Sequence, residues 1–209
     1  MIDRIHWLGH SSFLIQGPPL IYIDPWRIAR SAFLADVILI SQVGYDHCSP
    51  ADVEKLLGPE TVLLADEMAA GLLDGLAVEV LRPWQSRNVN RARITAIPAY
   101  TRLDARDPLT SQGVGYLISL DTYDIYYAGD TMLLPDMTRI HPDIAILPVG
   151  SSAGLMNVDA AVEAVRLLKP RWVVPSHWGA AEGGSYLDLR TFQAAVGKLA
   201  EVVIPDRLH

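Results

Sequence analysis

The sequence predicts a mixed α/β fold of the α/β or α+β class, because short apolar strands come first as a meander and then alternate with helices. Half of the 209 residues are hydrophobic and 20% are charged, as in an ordinary globular protein with a substantial core. The sequence contains no linker-like stretch, low-complexity segment or internal repeat. We therefore predict a single domain over residues 1–209.

The chain is predicted to begin with a three-stranded meander. Gly9 and the Gly17-Pro18-Pro19 turn separate the strands, because glycine and proline favour turns. The continuous apolar run Val37–Ile40 that follows is typical of a strand buried on both faces. The predicted meander strands are Arg4–Leu8, Ser12–Gln16 and Leu20–Ile23.

Two helices carry clear start signals. Ser49 provides an N-cap and Pro50 a first helical residue, which predicts a helix over Ala51–Leu57. Asn157 is predicted to cap a helix over Val158–Leu168. The remaining predicted elements are helix Asp66–Leu73, strands Thr61–Ala65, Ala77–Leu81, Ile94–Ile97, Val114–Leu120, Tyr123–Ala128, Ile144–Pro148, Trp172–Pro175 and Val202–Ile204, and a last amphipathic helix through Leu189, Phe192, Val196 and Leu199.

Composition argues against several kinds of partner. The formal charge is −7 and the 17 Lys and Arg residues form no run, so neither nucleic acid nor a membrane surface is a predicted partner. No apolar run approaches the ~18 residues of a membrane span, and no signal peptide is evident. Cys48 is the single cysteine, which excludes an intramolecular disulfide and favours a cytoplasmic location.

An acidic residue and a histidine, Asp46 and His47, follow the predicted strand Val37–Ile40. Taken alone they could cap the helix that starts at Ala51. The segment also resembles the metal-binding loop of the metallo-β-lactamase superfamily, which is usually His-x-His-x-Asp-His after an apolar strand. In this chain Gln42 and Gly44 stand at the first two histidine positions, whereas Asp46 and His47 are kept.

Six further segments carry the resemblance, in the same order along almost the whole chain. The first two look like the opening turn and the Asp-Pro turn of the UlaG-like, or lactonase-like, branch. The resemblance implies the four-layer αβ/βα sandwich of the metallo-β-lactamase type. The six segments are Trp7–Phe13, Ile23–Trp26, Ala96–Tyr100, Tyr127–Thr131, Ile146–Gly150 and Val174–Gly179.

The resemblance implies a depleted metal site. The family's first metal site would need histidines at Gln42, Gly44 and near Tyr100, and all three are missing. The second site maps to four residues that are present, so at most one divalent ion is expected, with zinc, manganese and iron all suited to such ligands. A metal-free polar cluster is the alternative. The four predicted metal ligands are Asp46, His47, Asp130 and His177.

The function that the resemblance implies is metal-dependent hydrolysis of an ester, lactone or phosphoester. In this hypothesis Asp46 is the catalytic residue that orients the attacking water. Two carboxylates neutralise a single divalent ion, which weakens its pull on a bound water. The alternative is a catalytically inactive binding or scaffold protein that keeps the fold without metal.

Three further residues are candidates for binding a small-molecule substrate. His10 follows Gly9 in a turn and either faces the cleft or makes structural hydrogen bonds. Arg102 and Arg106 lie in a loop that overlooks the cleft in the family, and arginine suits an anionic carboxylate or phosphate group. A solvated surface is the competing interpretation for both arginines.

Asp24 is expected to form an Asx-type turn. The sequence leaves open whether the protein forms a homo-oligomer.

Overall fold

In the computed structural model, residues 1–29, 32–101, 112–150, 154–179 and 184–206 are described, and they form two mixed β-sheets. The first sheet has six strands whose spatial order equals their chain order. Its first three strands are an antiparallel meander, and the rest run parallel to the third. These strands are β1 (Ile5–Gly9), β2 (Ser12–Ile15), β3 (Ile21–Ile23), β4 (Val37–Ile40), β5 (Val62–Ala65) and β6 (Val78–Val80), with α1 (Pro50–Leu56) and α2 (Glu67–Leu72) as the connecting helices.

The second sheet has seven strands and again an antiparallel half followed by a parallel half. Its strands, in spatial order from one edge to the other, also follow the chain. They are β7 (Ser86–Val89), β8 (Ala92–Tyr100), β9 (Gln112–Leu120), β10 (Tyr123–Tyr127), β11 (Ile144–Pro148), β12 (Trp172–Ser176) and β13 (Glu201–Val202), with helices α3 (Val158–Leu168) and α4 (Tyr186–Val196) and short 3₁₀ helices at Ile2–Arg4 and Pro135–Arg139.

The two sheets pack face to face, and the helices cover their outer faces. On β4, Leu39 packs into the core between the sheets, whereas Ile38 and Ile40 pack against the helical side with Val53 of α1. A separate cluster joins the outer face of the second sheet to α3 and α4. This explains the continuous apolar run of β4 and confirms the predicted four-layer αβ/βα sandwich.

Several predicted elements match the structure, one strand was missed, and the last helix was extended too far. Val37–Ile40, Ile144–Pro148 and Val158–Leu168 have the predicted bounds. Strand β7 was missed, because its exposed polar sequence shows no apolar alternation and only pairing with β8 defines it. The placement of Leu199 in the last helix is wrong: the helix ends at Val196, its C-cap Gly197 has a positive φ of 53°, and Leu199 lies beyond it.

None of the helices among the described residues is long and apolar enough to cross a membrane.

A buried carboxylate ties the start of α1 to the turn that follows β3. Asp52 accepts hydrogen bonds from the backbone N–H groups of Arg27 and Ile28 at 2.8 and 3.0 Å. It also accepts from Ser49 Oγ at 2.8 Å and Lys55 Nζ at 2.7 Å. Burial alone would raise the pKa of Asp52, but these donors lower it below its ordinary value.

We expect Asp52→Ala to lower the free energy of unfolding by about 2–3 kcal/mol, because it leaves two backbone donors unpaired. Since the folded pKa of Asp52 lies below the unfolded value of 3.8, its contribution is present above that pH and is lost as the pH falls further. Urea denaturation at pH 7 and at pH 3 measures both effects. Asp159→Ala, at an exposed first-turn position of α3, is the control and should change stability by under ~0.5 kcal/mol.

Candidate metal centre

The candidate site lies where several strands end at one edge of the sandwich. His47 is on the loop after β4, Asp130 follows β10, and His177 follows β12. His10 comes from the turn between β1 and β2. The backbone links the sheets at this edge, because Val114 N donates to Ser41 O at 2.9 Å.

Two buried imidazoles face one carboxylate at the centre of the site. His177 Nε2 is 2.8 Å from Asp130 Oδ1, and His47 Nε2 is 3.2 Å from Asp130 Oδ2. Both histidines are almost completely buried, yet His47 Nε2, His177 Nε2 and Asp130 Oδ1 each lack a well-formed hydrogen bond. Buried polar atoms rarely lack a hydrogen-bond partner. Two imidazole nitrogens and a carboxylate are typical ligands of a divalent metal ion. The arrangement therefore fits the metal that the sequence predicted.

His10 belongs to the same cluster. One ring nitrogen from each of His10, His47 and His177 lies within 4.8 Å of the others. The His10 ring also packs edge-on against His177, with 4.4 Å between the ring centroids. The residue predicted as a substrate contact thus lies at the centre of the site.

Asp46 is partly exposed and is paired with His10. Its Oδ2 lies 2.6 Å from His10 Nε2, and its backbone oxygen accepts from Ser11 Oγ. Burial would raise the pKa of Asp46, but the hydrogen bond from His10 and the charges of His47 and His10 lower it. Asp46 is therefore an ionised carboxylate at the border between the buried cluster and solvent.

The buried carboxylate of Asp24 orients His47, a role that the sequence interpretation missed. Its Oδ2 lies 2.7 Å from His47 Nδ1 and also accepts from Tyr127 OH at 2.6 Å. Ser41 donates to both oxygens, from its backbone N to Oδ1 and from its hydroxyl to Oδ2. These bonds replace the expected Asx-type turn. Because His47 Nδ1 is held by Asp24, Nε2 is the nitrogen directed at Asp130.

The charges around His47 favour a cation. Burial alone would lower the pKa of His47, but Asp130 and Asp24 raise it well above its ordinary value. Burial would raise the pKa of Asp130, yet His47 and His177 hold it well below the usual range. A position that stabilises an extra proton between these side chains also stabilises a metal ion that displaces the proton.

Gln42, which the sequence resemblance aligns with the first histidine of the family's loop, binds Asp130. Its Nε2 is 2.8 Å from Asp130 Oδ2. Since Asp130 is ionised and can only accept, the amide nitrogen of Gln42 must face it. The Gln42 side chain therefore donates a hydrogen bond to the Asp130 carboxylate.

Gly44, at the second missing histidine position, has little room for a side chain. A Cβ there would lie 2.9 Å from Asp46 Oδ1 and 3.1 Å from His47 Cδ2. Its φ is outside the left-handed region, so the restriction comes from crowding rather than from backbone conformation. Arg102 and Arg106, the predicted contacts for an anionic group, lie outside the described residues.

Comparison with known proteins agrees with the fold. The Beta-lactamase superfamily domain matches residues 4–177 of this chain. The chain therefore belongs to the β-lactamase superfamily, as the sequence resemblance predicted.

Its relatives within that superfamily are named as hydrolases. UPF0173 metal-dependent hydrolases from Thermococcus onnurineus and Pyrococcus horikoshii are 32% and 31% identical to it, and each alignment covers 96% of this chain and 95% of the relative. A solved structure described as that of a metal-dependent hydrolase, from Parabacteroides distasonis, superposes with a TM-score of 0.84 at 26% identity and covers 98% of this chain and 93% of its own. The chain is thus a metal-dependent hydrolase-like protein of the UPF0173 type.

We expect Asp24→Asn to weaken zinc binding about 10- to 100-fold, because an amide accepts fewer of the converging donors and no longer fixes His47 as firmly. Competition with a chromophoric chelator measures the affinity, and circular dichroism checks that the variant is folded. Asp143→Asn is the control: that carboxylate accepts from Asp124 N in the second sheet, away from the histidines of the site, and its loss should leave zinc affinity unchanged. Unchanged affinity in Asp24→Asn would show that His47 is oriented without Asp24.

Proposed function

We propose that this protein is a hydrolase of a small ester, lactone or phosphoester that works with a single divalent metal ion. The observation that carries the proposal is the cluster of unsatisfied buried atoms on His47, His177 and Asp130. Relatives named metal-dependent hydrolases support the reaction class. The single ion is supported by Gln42, which donates to Asp130, and by Gly44, which has no side chain, because the resemblance would place two histidine ligands of a second ion at these positions.

In this proposal His47, His177 and Asp130 would hold the metal, and the Asp46 carboxylate lies beside them, nearest to solvent. A bound divalent ion would supply Lewis-acid polarisation of the scissile group and a lowered pKa for a coordinated water. Asp24 keeps His47 in the tautomer whose Nε2 is available. Gln42 holds the Asp130 carboxylate in place by donating to Oδ2.

Asp46 is proposed to accept a proton from the attacking water. Its Oδ2 is held by His10, which leaves Oδ1 as an acceptor for a hydrogen of the water. Because His10 donates to the carboxylate, it also fixes the direction in which Oδ1 points. His10 is therefore a positioning residue, and the carboxylate it holds carries the proton transfer.

The metal stoichiometry is the first test. We expect calorimetric titration with zinc to show one tight site per chain, because Gln42 and Gly44 supply no ligand for a second ion. His177→Ala should weaken that site at least 100-fold. His141→Ala removes an exposed histidine and should leave the titration unchanged. Two tight sites would show that replacement ligands exist, and no tight site would favour the inactive scaffold protein.

Activity is the second test. With zinc or manganese loaded, we expect turnover of p-nitrophenyl acetate, a γ-lactone or bis-p-nitrophenyl phosphate that is lost on treatment with chelator and restored by metal. Asp46→Asn should lower kcat by about 100-fold or more, as expected for loss of a general base. Metal content is measured on the same samples. An Asp46→Asn variant that keeps both its metal and its kcat would exclude the proposed role of Asp46.

A further inference from the structure

A row of aromatic rings leads from the surface to the metal centre. Tyr45 lies between Gly44 and Asp46 in the loop after β4 that carries Asp46 and His47, here called the metal loop, yet 78% of it is exposed. Its ring meets the edge of Trp26, with 6.2 Å between centroids. Trp26 in turn meets His10 at 5.6 Å, and His10 meets His177 at 4.4 Å. Exposure falls along this row from Tyr45 to the buried histidines.

The turn that presents Trp26 is held in an uncommon backbone conformation. Asp24 and Arg27, on either side of it, have left-handed φ angles of 45° and 56°. Residues other than glycine rarely adopt this region, and such conformations persist where the surroundings impose them. Asp52 imposes this one by accepting the backbone N–H groups of Arg27 and Ile28. Trp26 is thus fixed beside His10 rather than free to move with a loose loop.

The shape of this corner suits a flat apolar group. The Arg27 guanidinium stacks over the Trp26 ring, 4.1 Å from its centroid, and adds a positive charge beside the rings. The Tyr45 ring stands nearly perpendicular to Trp26, at 77°, so the two rings form a corner open to solvent on the Tyr45 side. An aromatic ring in such a corner gains a factor of roughly 2 to 10 in affinity from each ring it contacts.

We propose that Trp26 and Tyr45 form an aromatic shelf that binds the aryl group of an aryl-substituted carboxylic ester or lactone, next to the metal centre. This inference rests on the proposed function and narrows it to one substrate class. The shelf is contiguous with the site through His10, which holds the catalytic carboxylate of Asp46. An aryl group that stacks on the shelf would therefore lie beside the reacting carbonyl rather than at a distance from it.

The test uses phenylacetate and acetate, which are the acid products of an aryl-substituted and a small ester. Calorimetry on the full chain, as purified and after chelator treatment, should show phenylacetate binding at least 10-fold more tightly than acetate. Tyr45→Ala and Trp26→Ala should each reduce this preference at least 3-fold, and Trp26→Phe should restore most of it. Trp84→Ala, which removes a partly exposed indole that stacks with Arg139, is the matched control and should leave the preference unchanged.

The outcomes separate the shelf from the hydrolase proposal. Equal binding of the two acids, or a preference that Tyr45→Ala leaves intact, overturns the shelf even if the protein hydrolyses esters. A preference that depends on both rings supports the shelf even if no turnover is found, since binding is measured without the reaction. Tyr45 is exposed, so its substitution tests the shelf without disturbing the fold if Trp26→Ala proves unstable.

Discussion

Four donor groups from separate parts of the chain converge on the carboxylate of Asp24, at the end of β3. They are Ser41 N, Ser41 Oγ, Tyr127 OH and the Nδ1 side of His47. A fully buried carboxylate is costly unless its oxygens are satisfied, and here both oxygens are. Because the donors come from β4, from β10 and from the metal loop, the same bonds that satisfy Asp24 hold the two sheets in register at this edge and direct His47 towards Asp130.

The metal centre follows from this arrangement by electrostatics. With Asp24 on one side of His47 and Asp130 on the other, the pKa of His47 is raised well above its ordinary value despite full burial. The negative charge of these two carboxylates is offset when a cation binds between them, whether a proton or a metal ion. Gln42 adds one neutral donor to Asp130 and adds no charge. The proposed single divalent ion would offset this negative charge, and the Gln42 amide would stay on the Asp130 oxygen that His47 also faces.

Local patterns predicted individual strands and helices, whereas the layers and the candidate ligands came from the resemblance to the superfamily. The apolar run Val37–Ile40 and the cap at Asn157 define their elements by themselves, and the motif residues Asp46, His47, Asp130 and His177 follow predicted strands. Local pattern could not reveal the role of Asp24, whose partners lie 17, 23 and 103 residues away. The placement of His10 against Asp46, 36 residues away, is equally non-local. Strand β7 was hidden for the same reason, since it is defined by pairing with β8 and not by its own composition.

The central claim is that one metal ion is held by His47, His177 and Asp130 while Gln42 keeps its hydrogen bond to Asp130. Crystals of the zinc-loaded protein, with diffraction recorded on both sides of the zinc absorption edge, test it most directly. We predict one anomalous peak per chain, about 2.0–2.1 Å from His47 Nε2 and His177 Nε2, with the Gln42 amide nitrogen still on Asp130. A second peak beside Gln42, or a zinc ion that contacts neither histidine, would contradict the account.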